Sequence, residues 1–190
     1  ATVDAFIDEP AELTVDLGVD FIVNLGEDAR LDAQVNPPDR NVVYSFAGTD
    51  SLSCTDCSDP EIFPIRTGTF TVTVTDENAC TATDEIKITV AKPRPIYIPT
   101  AFSPNGDGVN DYFFVYGDAS ARLIRSLRVY DRWGELLYEG TNMNLGNETL
   151  GWDGNFRSQS MRPAVFVYVA EIEFIDGETR IYDGDVAILR

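Results

Sequence analysis

From Thr69 to Thr75, threonine occupies every second position, and Phe70, Val72 and Val74 fill the places between. A helix would scatter these seven residues around its circumference. An extended chain, with its period of two, sorts them into one apolar face and one hydroxylated face. The same alternation returns where Leu13, Val15 and Leu17 stand against Thr14 and Asp16, and where Ile86, Ile88 and Val90 stand against Lys87 and Thr89. No stretch sustains a 3.6-residue period, so each set reads as a half-buried antiparallel strand with a polar outer face. Turn clusters at Pro37-Pro38-Asp39, Ser58-Asp59-Pro60 and Asp76-Glu77-Asn78 separate the runs, as in a β-sandwich.

The segment Ala91-Lys92-Pro93-Arg94-Pro95 interrupts this pattern. Two prolines so close together resist both helix and central strand, which makes the segment a short, semi-rigid linker. It divides the chain into residues 1–92 and 93–190. In the second part Leu127 and Val129 oppose Arg128, Tyr130 and Arg132, and Trp133-Gly134 turns the chain into Glu135–Tyr138. Phe166, Tyr168, Ala170, Ile172 and Phe174 form a long inward row, Asp176-Gly177 supplies the next turn, and Val186–Leu189 closes the sheet. A length of 190 residues suits two sandwiches of roughly 100 residues each. The expected fold is all-β: two consecutive immunoglobulin-like antiparallel β-sandwich domains joined by the proline-containing linker.

Charge and composition narrow the function. The net charge is −18, unevenly placed: residues 1–92 carry 18 acidic against 5 basic side chains, and residues 93–190 carry 14 against 9. Such a surface argues against nucleic acid, whose phosphates need clustered cations. The nine cations of the second part are all arginine, the residue suited to bidentate protein contacts. Histidine is absent throughout, which removes Ser-His-Asp and Cys-His catalysis and the common zinc sites, and no carboxylate pair stands out, so an enzyme is not expected. No run approaches the ~20 apolar residues of a membrane-spanning helix. The chain opens with neither a basic nor an apolar leader region, so residue 1 reads as a mature end or as a boundary inside a longer protein.

Four motifs occur in order in the second part. They are Ile98-Pro99-Thr100-Ala101-Phe102-Ser103-Pro104-Asn105-Gly106-Asp107-Gly108-Val109-Asn110-Asp111, then Tyr130-Asp131-Arg132-Trp133-Gly134-Glu135, then Gly151-Trp152-Asp153-Gly154, then Gly184–Arg190. Together they resemble the type B C-terminal sorting domain of the Bacteroidetes type IX secretion system, also called the gliding motility-associated C-terminal domain, over about residues 96–190. Residues 48–80 resemble the PKD-like immunoglobulin repeats of large Bacteroidetes surface proteins. The resemblance implies a signal that carries a large cargo through the type IX translocon to the cell surface or medium. It also implies an outer-membrane β-barrel partner of the PorP/SprF kind and a spacer role for the first domain. An adhesive or carbohydrate-binding module is the alternative, motivated by the acidic first domain and by Trp133 and Trp152.

Three sets of candidate site residues follow. Ser103, Asn105, Asp107, the Val109 carbonyl and Asp111 overlay the first half of an EF-hand calcium loop, though Ser103 replaces Asp at its first position and Phe114 replaces the bidentate Glu at its last. The other reading of the same residues is a rigid turn whose carboxylates cap local amides. Arg125, Arg128, Arg132 and Arg190 are the candidate partner-binding cations, with pairing to Glu135 or Glu139 as the structural alternative. Three cysteines allow one intramolecular disulfide. Cys54–Cys57 is the expected pair and a bridge to Cys80 the alternative.

Overall fold

The computed structural model describes residues 11–48, 50 and 52–189. They fall into two compact units, one of residues up to 23 together with 27–91, the other of residues 24–26 together with those from 92 onward. Among the described residues the regular structure is extended, apart from one 3-10 turn at Glu148–Leu150.

The first unit contains β1 (Thr14–Asp16), β2 (Phe21–Asn24), β3 (Ala29–Arg30), β4 (Gln34–Asn36), β5 (Val42–Gly48), β6 (Glu61–Ile62), β7 (Gly68–Asp76) and β8 (Thr81–Ala91). A four-stranded sheet runs in the order β2-β8-β7-β5, with antiparallel β5–β7 and β7–β8 ladders. The threonine-valine alternation works as expected: Phe70, Val72 and Val74 are fully buried. Two separate two-stranded antiparallel sheets accompany the four-stranded sheet, β3 with β6 and β4 with β1. The Leu31 and Ala33 amides extend the first of these ladders by donating to the carbonyls of Pro60 (3.0 Å) and Ser58 (2.9 Å). The Asp76 turn is locked by its own carboxylate, which accepts the amides of Asn78 (2.9 Å) and Cys80 (2.8 Å). Cys54 and Cys57 form a disulfide, and the Cys80 thiol is free and exposed.

The second unit contains β9 (Ile96–Tyr97), β10 (Ala101–Phe102), β11 (Tyr116–Gly117), β12 (Ala121–Tyr130), β13 (Leu136–Met143), β14 (Asn155–Phe156), β15 (Gln159–Ser160), β16 (Val165–Phe174) and β17 (Thr179–Ile188). Its main sheet runs β10-β17-β16-β12-β13. The inward row on β16 is as expected, from Phe166 (3% exposed) to Phe174 (fully buried). Phe113, Phe114 and Val115, the β9–β11 pair and Trp152 contribute further buried and partly buried side chains to the same core.

The closing strand is covered on its outer side by β10, which pairs with β17 in parallel. The Ala187 amide donates to the Thr100 carbonyl (2.9 Å) and the Leu189 amide to the Phe102 carbonyl (2.8 Å), covering an edge that would otherwise be open to foreign strands. The proline segment is more than a spacer. Arg94 is buried over the Phe174 ring (5.2 Å) and pairs with Asp176 and Glu178, while Lys92 donates to the same Asp176 (2.7 Å).

Candidate functional site

Three of the four motifs meet in one aromatic cluster. Phe102 lies in the first motif, at the end of β10. Its ring packs on Trp152 (5.5 Å) and Phe113 (6.1 Å), and Trp152 packs edge-on against Phe166 of β16 (5.0 Å). Trp152 is fully buried and its indole N–H donates to the Asn155 carbonyl (2.9 Å), so no polar atom of the ring is stranded. Its backbone exchanges hydrogen bonds with Phe113 in both directions (2.8 and 3.0 Å). This closeness explains the glycine before it, since a Cβ on Gly151 would stand 2.4 Å from the Phe113 carbonyl oxygen. The terminal motif joins through β17, which pairs with β10.

The Asn105–Asp111 loop follows Phe102 in the chain, and its polar side chains turn back onto its own backbone. Asp111 accepts the amides of Asn105 (3.0 Å), Gly106 (2.6 Å) and Gly108 (2.8 Å); Asp107 accepts that of Val109 (2.8 Å); and Asn105 accepts that of Asp107 (2.9 Å). The Gly106 and Gly108 amides hold the Asp111 carboxyl below the usual carboxylate range; desolvation opposes them, and the Asn105 amide adds a lesser lowering. Gly106, Gly108 and Asn110 take positive φ to close the turn. The Ser103 amide donates to the Asn110 carbonyl (2.9 Å) and tightens the neck. These acceptors serve the loop's own amides instead of converging on a point. Among the described residues no group of three or more Cys, Asp and Glu side chains is arranged to hold a metal. A calcium ion needs about 6–8 oxygens, more than the two carboxylates of this loop supply on their own.

The arginines separate into two kinds. Arg122 (2.8 Å) and Arg125 (2.7 Å) both bind Glu173, and Arg128 binds Glu139 across the β12–β13 ladder (2.7 Å). The Arg125 hydrogen bond is the main cause of a Glu173 carboxyl held below its usual range. Strict alternation would place Arg122 and Arg125 on opposite faces. Register shifts at Ala121/Leu123 and Ile124/Ser126 bring both outward, which the period-two reading missed. Arg132 is different: it lies beyond β12 in the turn, and among the described residues it has no ion-pair partner. Arg190 lies outside the described residues.

The two tryptophans also part company. Trp152 is core, whereas Trp133 is 85% exposed on a turn held by Asp131, whose carboxylate accepts the amides of Trp133 and Glu135 (2.8 Å each). The sequence showed that turn. It did not show the cleft of about 350 Å³ beside it, lined by Trp133, Arg132, Phe156, Met161 and Arg162 among others, because those residues come from separate elements.

Comparison with known proteins bears on this unit. Residues 96–188 match the model of the CHU_C type IX secretion signal domain, a span that runs from the first residue of β9 to the last of β17. No curated protein matches the chain. Among solved structures, the PKD domain from the KIAA 1837 protein is similar at 19% identity and TM-score 0.37, over 46% of this chain and 93% of its own. A mixed-linkage glucan utilization protein of Bacteroides ovatus, SGBP-B, solved with a heptasaccharide, is similar at 11% identity and TM-score 0.36, over 95% of this chain and 48% of its own. Dimeric latent PorU from Porphyromonas gingivalis is similar at 13% identity and TM-score 0.33, over 95% of this chain and 20% of its own. These three likenesses carry no information on function. The family match does: all four motifs are in place on one sheet and its aromatic core, and residues 96–188 match the CHU_C type IX secretion signal domain.

Proposed function

We propose that residues 93–190 are a sorting domain that directs a large cargo through the type IX system to the cell surface or medium, with residues 1–92 as an immunoglobulin-like spacer. A type IX secretion signal implies engagement of that machinery and export across the outer membrane. The finer reading, reception by a PorP/SprF-like outer-membrane β-barrel, rests on the type B resemblance of the motifs. No helix among the described residues is long and apolar enough to cross a membrane. Secretion signals and β-sandwich spacers of this kind are generally non-catalytic, so the expected activity is recognition.

The observation that carries this reading is the family match over residues 96–188, from β9 to the end of β17. A folded sandwich whose turns are fixed by their own carboxylates presents a preformed surface, which lowers the ordering cost of binding. The test is a periplasmic reporter fused ahead of residues 1–190 in a type IX-competent strain and in one lacking the translocon. Surface or medium localisation in the first and periplasmic retention in the second is expected. Equal export from both strains would overturn the assignment.

A further inference from the structure

Around the β12–β13 turn the surface is apolar, concave and cationic together. Trp133 stands 85% exposed on a turn fixed by Asp131. The cleft of about 350 Å³ beside it has Phe156, Met161, Ala164 and Phe166 among its walls, with the exposed Arg132 and Arg162 also lining it. A second cleft of about 440 Å³ shares Arg132, Ala164 and Val165 and continues over Val167. Val165 (60% exposed) and Val167 (41%) lie on β16, in the middle of a five-stranded sheet, where an outward valine has no folding partner. Contiguous exposed apolar surface of this kind marks an interaction site more often than scattered single residues do.

The charge pattern identifies the chemistry that fits. Among the described cations of the second unit, Lys92 and Arg94 face Asp176, Arg122 and Arg125 face Glu173, and Arg128, Arg157 and Arg180 face Glu139, Glu135 and Glu178. Among the described residues Arg132 and Arg162 pair with no carboxylate, and both line the same cleft. The acidic groups nearby are engaged, Asp131 with turn amides and Glu135 with Arg157. On the other flank, Asp185 and Asp183 stand in register with Val167 and Val169, so an anionic group on the patch is repelled there and drawn toward the arginines. A planar guanidinium pairs bidentately with a carboxylate, a contact that a neutral sugar cannot supply. A polyphosphate would meet a molecule of net charge −18.

We propose that this cleft docks a peptide segment carrying a carboxylate side chain beside an aliphatic or aromatic one, the apolar side chain entering the cleft and the carboxylate binding Arg132 and Arg162. The inference stands on the cleft alone and does not require the export reading.

The test uses the full chain and the emission of Trp133, since Trp152 is fully buried. The probe is a blocked synthetic peptide alternating glutamate with leucine and phenylalanine; matched peptides carry lysine or glutamine for glutamate, and a neutral oligosaccharide serves as a further control. A saturable blue shift is expected with the glutamate peptide, weakened by salt and at least about tenfold weaker with the other probes. Arg132→Glu with Arg162→Glu should abolish it, and Arg132→Gln with Arg162→Gln should weaken it, both without a change in melting temperature. Lys87→Glu, in the first unit, should leave it intact. No saturable shift at several millimolar peptide, an equal response to the lysine peptide or the oligosaccharide, or a full response in the glutamine double variant would overturn the proposal.

Discussion

The two units reach a β-sheet core by different means. The first relies on alternation, with threonine out and valine or isoleucine in, and has Phe46 and Phe70 as its buried aromatics. The second buries Phe102, Phe113, Phe114, Trp152, Phe166, Tyr168 and Phe174, and draws several of them from turns and irregular segments. An aliphatic core built on long strands needs little from its loops. An aromatic core fed by loops fixes those loops in place, as it does the segments that carry Phe102, Phe113 and Trp152. The two units therefore differ less in fold than in whether their turns are structural elements of the core.

The largest test of that contrast removes one large aromatic from each unit. Trp152→Ala and Phe70→Ala should each destabilise their own unit by about 3–5 kcal/mol, read as separate transitions in a thermal melt. Only Trp152→Ala should impair export, because Phe113, Phe102 and the β10–β17 pairing lean on it. Impaired export from Phe70→Ala at a temperature where the second unit remains folded would mean that the first unit is part of the signal.

Acid sharpens the contrast next. Asp111, Glu173 and Asp176 of the second unit all have carboxyls held below their usual range. Asp176 is raised by desolvation, but the Lys92 hydrogen bond, the Glu178 amide and the Arg94 charge outweigh it. A carboxylate with a lowered folded pKa contributes stability that is fully present above its unfolded value, about 3.9–4.3, and that disappears as the pH falls through the folded value. The second unit should therefore hold its melting temperature from neutrality to about pH 5 and lose it below about pH 4. Asp111→Asn should remove part of that acid sensitivity.

The smallest effects belong to the surface. Trp133→Ala should change stability by no more than about 0.5 kcal/mol, in contrast to Trp152→Ala, since its ring faces water. Excess calcium and chelator should give the same melting temperature for the second unit, because the loop's carboxylates already hold amides; a ligand bound by the folded state would raise it.

Much of this architecture was legible in the residues. Alternation located β7, β8 and the inward row of β16, and glycine with Asp or Trp marked the turns at Gly134 and Gly177, both of which take positive φ. The rest depended on information that period and composition do not carry. The parallel β10–β17 pair joins residues far apart in sequence, through two residues of β10 too few to show a period. The bulges of β12 move Arg122 and Arg125 onto one face. Arg94 looked like a linker cation, and only the β16–β17 turn beneath it reveals the carboxylates that hold it. At the candidate site, Trp133 and Arg132 stood out in sequence, whereas Phe156, Met161 and Arg162 had no local pattern to announce them.

The most direct measurement divides the chain at its linker. Residues 94–190 and residues 1–92 are each fused to the same periplasmic reporter, and surface exposure is measured by protease accessibility in strains with and without the type IX translocon. The account predicts translocon-dependent exposure for the 94–190 fusion and periplasmic retention for the 1–92 fusion. Exposure of the reporter carrying only residues 1–92, or retention of a folded 94–190 fusion in the competent strain, would contradict it.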